Sequence, residues 1–178
     1  MAFNREKFKA LVHYVCWKTD PAKLGATKLN KTCWIADFTS YYQTGEPITD
    51  AVYIKRQFGP VPRAIVSTVQ ELEDEGALVV SEKLFYGKVQ KQFHVLRPAD
   101  TSLFTATEIA LIDGVAEYVS EMHTASSISS MSHDHIWKAA SDGEEIPYFT
   151  IFANPAPVSQ SVREWALQEL GELGAAAA

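Results

Sequence analysis

The residues best suited to metal chemistry in this sequence are His133 and His135, which flank Asp134. Two histidines separated by one residue can ligate a metal from an extended segment. No third ligand follows nearby, and the triplet lies where a helix is expected to begin, a position at which Ser, Asp and His act as caps. A short motif without supporting context is weak evidence, so the sequence predicts no metal site.

Other catalytic arrangements are also missing from the sequence. Serines are frequent around position 130, but no nucleophile elbow surrounds them. The sequence contains neither a phosphate-binding glycine loop nor a dinucleotide fingerprint. Glu144 and Glu145 lie in a polar stretch, where simple solvation explains them. We therefore expect no catalytic residues and no cofactor, and a protein that is not an enzyme.

Asp37 is an acid within the apolar stretch from Thr27 to Thr44. A tyrosine hydroxyl, backbone amides or a nearby cation could hold it as a structural carboxylate. Alternatively, it is a functional acid with a shifted pKa, or an ion-pair partner of Arg56 or Lys31. Because buried ion pairs also shift acids at non-catalytic sites, we favour the structural role and predict that Asp37 belongs to a polar core.

The stretch YIKRQFGPVPRAI, residues 53–65, combines two prolines with three cations. Glycine adopts backbone angles closed to other residues, and proline fixes φ, so the stretch predicts a rigid corner from a short strand into a helix. Arginines and an aromatic beside such a corner are candidates for binding a partner: Arg56, Phe58, Gly59, Pro60 and Arg63. In the alternative interpretation the corner is scaffold, Phe58 fills the core and Arg56 pairs with Asp37.

Composition sets the class of protein. With 178 residues, of which 47% are apolar and 21% charged, the chain is expected to form a single globular domain. Cys16 and Cys33 lie inside apolar helical patterns, and no signal peptide or long apolar span appears, so we expect a cytoplasmic protein that does not associate with a membrane. The net charge of −6 gives no general attraction to nucleic acid or anionic lipid and favours basic partners.

Helical periodicity covers most of the chain. Asn4 caps a first helix that ends near Asp20, a loop follows, and a second helix spans Thr27–Thr44. Further helices are expected after the Gly-Pro corner, after the capping box Thr105/Glu108, and on both sides of a break near Ser132. We expect one domain over residues 1–158, an amphipathic helix at 159–173 packed on it, and a disordered tail at 174–178.

The strand signals are few. Residues 52–55 and 78–80 alternate or are apolar, and residues 84–95 alternate around Gly87-Lys88, the pattern of a two-residue hairpin turn. We expect these segments to form one small antiparallel sheet. The predicted fold is mainly α with a small antiparallel sheet, an α+β arrangement similar to a winged helix.

Winged helices commonly bind DNA, but the acidic residues of this chain oppose DNA binding. The candidate recognition helix carries a run of acids that would repel a duplex: Glu71, Glu73, Asp74 and Glu75. The hairpin lysines, which are Lys83, Lys88 and Lys91, could make weak phosphate contacts. A DNA-binding regulator is therefore the alternative interpretation.

The run from Lys28 to Leu78 resembles the Panacea domain, the SocA-like antitoxin family. The matching features are Lys28-Leu29 with Lys31, Trp34 with Asp37, Gly45 with Pro47, Tyr53 with Gly59-Pro60, and the later SISSMSHDHIW segment. The resemblance spans roughly Thr27 to Ala140, and the Gly-Pro corner at its distance from Trp34 is its most specific part.

This resemblance implies a mostly helical antitoxin, often encoded on phages or mobile elements, that neutralises a cognate toxin by direct protein contact. One branch of the family resembles proteolytic adaptors that deliver the toxin to a protease, so a protease is a further possible partner. The family is not known for catalysis.

Overall fold

The computed structural model describes residues 3–85 and 87–153. Within them the helices are α1 (Arg5–Lys18), α2 (Pro21–Thr44), α3 (Ile65–Asp74), α4 (Ala106–Met122), α5 (Ala125–Met131), α6 (His135–Ala139) and a 3-10 helix (Tyr148–Ala153). The strands are β1 (Tyr53–Arg56), β2 (Gly59–Pro62), β3 (Leu78–Phe85) and β4 (Lys88–Val95). The predicted helix at 159–173, the tail at 174–178 and the boundary at 158 lie outside the described residues.

Helix α1 begins as the sequence predicts. The Asn4 side chain accepts a hydrogen bond from the backbone N–H of Lys7, and the rings of Phe3 and Phe8 lie 5.8 Å apart as a hydrophobic staple. The apolar face of α1 is buried against α2, and its members are Phe8, Leu11, Val12 and Val15. None of the helices described is long and apolar enough to cross a membrane.

Helix α2 lies at the centre of the fold and packs against α1, α4 and β4. The prediction of a loop before it is wrong, because the helix begins at Pro21. Asp20 caps it by accepting from the N–H of Ala22, and proline is favoured in a first helical turn. A kink at Gly25, with φ 62° and ψ 162°, marks the place where the loop was expected. The helix ends at Gly45 in the left-handed conformation, as predicted.

The fold is mainly α with small antiparallel sheets, as expected, but the strands pair differently. The prediction of one sheet is wrong, since two separate two-stranded sheets form, β1 with β2 and β3 with β4. Tyr53 pairs with Pro62 and Arg56 with Gly59, so the Gly-Pro stretch is one arm of a hairpin. The predicted strand-to-helix corner is therefore a hairpin, and α3 begins at Ile65, after β2 ends.

The second hairpin forms as predicted, but Lys88 is not a residue of its turn. Phe85 pairs with Lys88, so Lys88 begins β4 instead of occupying the turn. Gly87 has φ 74°, a conformation that glycine adopts without strain. This hairpin packs on α2 through β4, and Phe93 is 3% exposed.

The second half of the chain returns to the first hairpin. The capping box of Thr105 and Glu108 opens α4, as predicted, and the expected break near Ser132 separates α5 from α6.

Residues 143–146 then run along the outer edge of β1. The N–H of Lys55 donates to the carbonyl of Glu144 at 2.9 Å, and the N–H of Ile146 donates to the carbonyl of Tyr53 at 2.8 Å. This pairing covers the free edge of β1.

Candidate protein-binding site

The β1–β2 hairpin is held by side chains from three different helices. Each donates a hydrogen bond to one backbone carbonyl of the hairpin: Trp137 Nε1 to Arg56 at 3.1 Å, Ser129 Oγ to Phe58 at 3.1 Å and Lys31 Nζ to Pro60 at 2.9 Å. Because these donors come from α6, α5 and α2, the hairpin cannot move without breaking contacts to several elements. The hairpin is therefore a pre-ordered surface feature.

Glycine is required at position 59, next to the turn of this hairpin, for two reasons. Its φ of +101° is a conformation that residues with a side chain rarely adopt. A Cβ atom at Gly59 would also lie 2.1 Å from Ser132 Oγ and 2.3 Å from Lys31 Nζ. Because position 59 has no side chain, the Lys31 amine fits beside it. Both the backbone conformation and the packing therefore require glycine at this position.

Lys31 is the charged group beneath the hairpin. The residue is 1% exposed, and burial lowers the pKa of its amine to about 7. Within the part of the chain that the structure describes, no carboxylate lies within 4.0 Å of this amine. The ring of Trp34, whose centroid lies 5.7 Å from Nζ, provides a cation–π contact in its place.

The side chain of Phe58 projects into solvent and is 57% exposed. The alternative in which Phe58 fills the core is therefore wrong. Arg56 does not pair with Asp37 either, because it forms a salt bridge with Asp142 at 2.8 Å. The turn end of the hairpin thus presents an exposed aromatic ring and an exposed, partly neutralised cation.

Arg63 is paired in the same way at the other end of β2. Its guanidinium lies 2.9 Å from the carboxylate of Glu145, and both side chains are exposed. The segment that covers the edge of β1 therefore supplies the carboxylate of Glu145 to Arg63, and Asp142, which directly precedes this segment, pairs with Arg56. Exposed ion pairs of this kind contribute about 0–1 kcal/mol, so a partner can replace them at little cost.

Asp37 is completely buried, at a distance from the solvent-exposed part of the hairpin. Its carboxylate accepts hydrogen bonds from Thr49 N at 2.8 Å, Thr49 Oγ1 at 2.6 Å and the Tyr53 hydroxyl at 2.7 Å. Burial raises the pKa of Asp37 to about 6, although these hydrogen bonds act in the opposite direction. The carboxylate joins α2 to the segment that leads into β1, which is a structural role.

A cavity of about 250 Å³ opens beside the hairpin. Aromatic and apolar side chains from several elements form most of its wall, among them Trp34, Pro60, Tyr118, Met131, Ile136 and Trp137. Tyr118 and Met131 are 38% and 47% exposed, so the cavity is accessible from solvent. Pro60 belongs to both the hairpin and the cavity wall, which makes the two features one continuous surface.

The two histidines of the HDH triplet lie apart and contact different groups. The ring of His133 stacks on Trp137 with 3.7 Å between centroids and 11° between planes. Nε2 of His135 lies 3.0 Å from the carbonyl oxygen of Ala153. Among residues 3–85 and 87–153, no three His, Cys, Asp or Glu side chains gather in a way that could hold a metal.

Two lysines of the second hairpin, Lys83 and Lys91, do not share a face. Lys83 lies opposite Gln90 and Lys91 lies opposite Glu82, so strand alternation places Lys83 and Lys91 on opposite faces. Lys88 begins β4. The acids in and directly after α3 partly pair with basic residues at the surface, as Glu71 does with Arg5 and Glu75 with Lys9.

The sequence did not single out Ser129, Ser132 or Trp137 as part of the hairpin site. They lie about 70 to 80 positions from the hairpin carbonyls or the glycine that they contact. The one local signal was Lys31, a lysine one helical turn before Trp34 in a largely apolar helix.

The described residues form a mainly helical protein with two small antiparallel hairpins, one of which is fixed by the centre of the fold. The family model described as antitoxin SocA-like, Panacea domain, matches residues 29–138, more than half of the chain. The chain belongs to this family, as the sequence predicted, and membership indicates a role in a toxin–antitoxin system. Comparisons with curated proteins and with solved structures found no match.

Proposed function

We propose that this protein is the antitoxin of a toxin–antitoxin pair and neutralises its cognate toxin in the cytoplasm by binding it, without catalysis. The observation that carries the proposal is the exposure of Phe58 on a hairpin whose carbonyls are held by Lys31, Ser129 and Trp137. Family membership supplies the class of partner, a toxin protein.

The hairpin has the physical properties of a binding surface. Association costs less entropy when the contacting segment is already ordered, and three side chains order this segment in advance. Aromatic and arginine side chains most often carry the binding energy of an interface. Phe58, with Arg56 and Arg63 on the flanking strand ends, presents both types on one rigid feature.

The acidic residues beside the hairpin can attract a basic toxin electrostatically. Asp142, Glu144 and Glu145 are exposed, and the whole chain carries a net charge of −6. A basic toxin would be steered toward this surface, and association would slow as salt screens the charges. On contact, Arg56 and Arg63 can exchange their present carboxylate partners for groups on the toxin.

The test is rescue of cells from the toxin encoded by the neighbouring open reading frame. Phe58→Asp should abolish rescue and co-purification of the toxin, because a charge at the centre of an apolar contact is costly to desolvate. Leu84→Asp is the matched control, since Leu84 is 73% exposed near the tip of the other hairpin. Both substitutions lie at exposed positions and should leave the melting temperature of the antitoxin almost unchanged.

Charge reversal of Arg56 and Arg63 tests the flanking contacts in the same assay. A folded double variant that rescues cells fully would exclude the arginines from the interface, and full rescue by Phe58→Asp would exclude the hairpin. If the wild-type protein neither rescues cells nor co-purifies with the toxin, the proposed function is wrong. Loss of rescue in a host lacking the relevant protease, with binding intact, would instead indicate an adaptor that delivers the toxin for degradation.

A further inference from the structure

The chain leaves the described residues at the rim of the cavity beside the hairpin. Thr150 and Ile151 form part of the cavity wall, and the 3-10 helix that contains them ends at Ala153, the last described residue. Nε2 of His135 lies 3.0 Å from the carbonyl oxygen of Ala153 and joins it to α6, which supplies Trp137 to the same wall. The residues that follow Ala153 therefore start next to the cavity.

The sequence after Ala153 is tethered close to this cavity. Residues 154–158, which include Pro155 and Pro157, can extend over no more than about 18 Å. They connect Ala153 to the stretch 159–173, for which the sequence predicts an amphipathic pattern. A short tether gives a ligand an effective concentration on the order of 1 mM, which favours this stretch over a separate molecule of similar affinity.

The stretch 159–173 contains a side chain that suits the cavity. Val162, Trp165, Ala166 and Leu170 recur at helical spacing, and Trp165 is the one aromatic residue among positions 159–173. The cavity has a volume of about 250 Å³ and a mostly apolar and aromatic wall. An apolar cavity of roughly 150 Å³ in another protein accommodates benzene, and an indole ring is about half as large again as benzene. The volume and the chemistry of the cavity therefore match an indole ring.

The charges at the cavity complement those of the stretch. Nζ of Lys55 lies 4.4 Å from the centroid of the Trp137 ring, and in the described part of the chain no carboxylate lies within 4.0 Å of this amine. Asp134 also lines the cavity, but its carboxylate already accepts the backbone N–H of Trp137. Residues 159–173 contain three glutamates and one arginine, so the lysine attracts them.

We propose that residues 159–173 of this chain dock on the cavity, with the ring of Trp165 inserted beside Tyr118 and Met131. These two wall residues are 38% and 47% exposed, and docking would cover them. Because Pro60 belongs to both the cavity wall and the hairpin, the docked stretch becomes a neighbour of the proposed toxin-binding surface. The inference does not depend on the proposed function, since the cavity and its occupant belong to one chain.

The rate at which a maleimide modifies a cysteine at the cavity tests this docking in the full-length chain. Met131→Cys places a thiol on the exposed part of the wall. Cys16 and Cys33 do not compete, because both are buried and burial raises the pKa of their thiols. Adding Trp165→Asp to Met131→Cys should raise the rate of modification by about tenfold or more, since a charged side chain is costly to insert into an apolar cavity.

Two controls separate docking from unfolding. Gln160→Asp adds the same charge outside the apolar set of the stretch, and should leave Met131→Cys protected. Val66 is 79% exposed on α3, so the thiol of Val66→Cys should react at the same rate with and without Trp165→Asp. Cys16 and Cys33 should stay unreactive in every variant that is folded.

The outcomes decide between occupants of the cavity. Protection of Met131→Cys that does not depend on protein concentration, and that Trp165→Asp removes, supports the docking. If Met131→Cys reacts equally fast with and without Trp165→Asp, the docking is wrong. If the protection disappears on dilution, the occupant is a second copy of the chain, and docking within one chain is again wrong. Rescue from the toxin is a separate assay, so a failure there contradicts only the antitoxin function.

Discussion

Lys31 donates a hydrogen bond through Nζ to the carbonyl oxygen of Pro60 at 2.9 Å, and both residues are buried. The contact ties strand β2 of the hairpin to the central helix through an amine that water does not reach. Burying an ammonium group without a carboxylate partner lowers the stability of the fold. The contact that positions the hairpin therefore has a cost that unfolding experiments can measure. This relationship makes the hairpin sensitive to pH and to the size of residue 59.

The first prediction concerns pH. Burial lowers the pKa of Lys31 from 10.5 to about 7 in the folded protein, whereas the unfolded chain keeps the ordinary value. Below pH 7 Lys31 is protonated in both the folded and the unfolded protein, and the cost of burying its charge is fully present. Above pH 7 the unfolded protein binds more protons than the folded protein, so the free energy of unfolding rises with pH. Urea unfolding should show the wild type gaining up to about 1.4 kcal/mol per pH unit over Lys31→Met between pH 7 and 9.

Lys83→Met is the control for this experiment, because Lys83 is an exposed lysine on β3. Its stability should follow that of the wild type across the same range. Parallel profiles for the wild type and Lys31→Met would show that the Lys31 amine is not desolvated in solution.

The second prediction compares two glycines. Gly59→Ala introduces a Cβ within 2.3 Å of Lys31 Nζ at φ +101°, whereas Gly45→Ala places one at φ +81° with no atom within 4 Å. Both variants carry the strain of a positive φ, about 1–2 kcal/mol, and Gly59→Ala adds overpacking of about 1–3 kcal/mol. Chemical denaturation should therefore show a larger loss for Gly59→Ala. Equal losses would mean that Lys31 and Ser132 move aside freely.

The third prediction concerns Asp37. Asp37→Leu leaves the N–H and hydroxyl of Thr49 and the hydroxyl of Tyr53 without their acceptor, and should cost a few kcal/mol, roughly 3–5, at pH 7. Burial raises the pKa of Asp37 to about 6, so the folded wild type takes up a proton before the unfolded chain does as pH falls.

The wild type therefore gains stability relative to Asp37→Leu between pH 6 and pH 4, by up to about 1.4 kcal/mol per pH unit. Thermal or urea unfolding at several pH values measures both effects. A stability difference that does not change with pH would show that Asp37 titrates at its ordinary pKa, and no difference at all would place it at the surface.

Local signals in the sequence predicted local structure well. The cap at Asn4, the capping box at Thr105 and the end of α2 at Gly45 each depend on residues within one turn of helix, and each forms as expected. The apolar surroundings of Asp37 likewise indicated a buried carboxylate, because a helix that is apolar all round lies inside a domain.

The Gly-Pro stretch shows why the rest could not be predicted. Its turn residues are Gln57 and Phe58, which lack the Asn-Gly or Asp-Gly signature of a two-residue hairpin, so the pairing of β1 with β2 had no local signal. The contacts that hold the hairpin come from residues such as Ser129 and Trp137, far along the chain. Spacing within one segment cannot reveal contacts that form only when distant helices pack together.

The last prediction concerns nucleic acid, the alternative function. Lys83 and Lys91 point to opposite faces of the second hairpin, and Lys91 lies opposite Glu82, so one face offers few cations to a duplex. Each phosphate contact contributes about −0.9 to the slope of log K against log salt, and we expect a slope between about −1 and −2, with a Kd of about 1 µM or weaker at physiological salt. Glu82→Lys would place a second lysine beside Lys91 and should steepen the slope by about 1, whereas Lys83→Glu should flatten it. Fluorescence anisotropy of a labelled duplex at several salt concentrations measures all three. Nanomolar, sequence-dependent binding by the wild type would establish the DNA-binding regulator in place of the antitoxin.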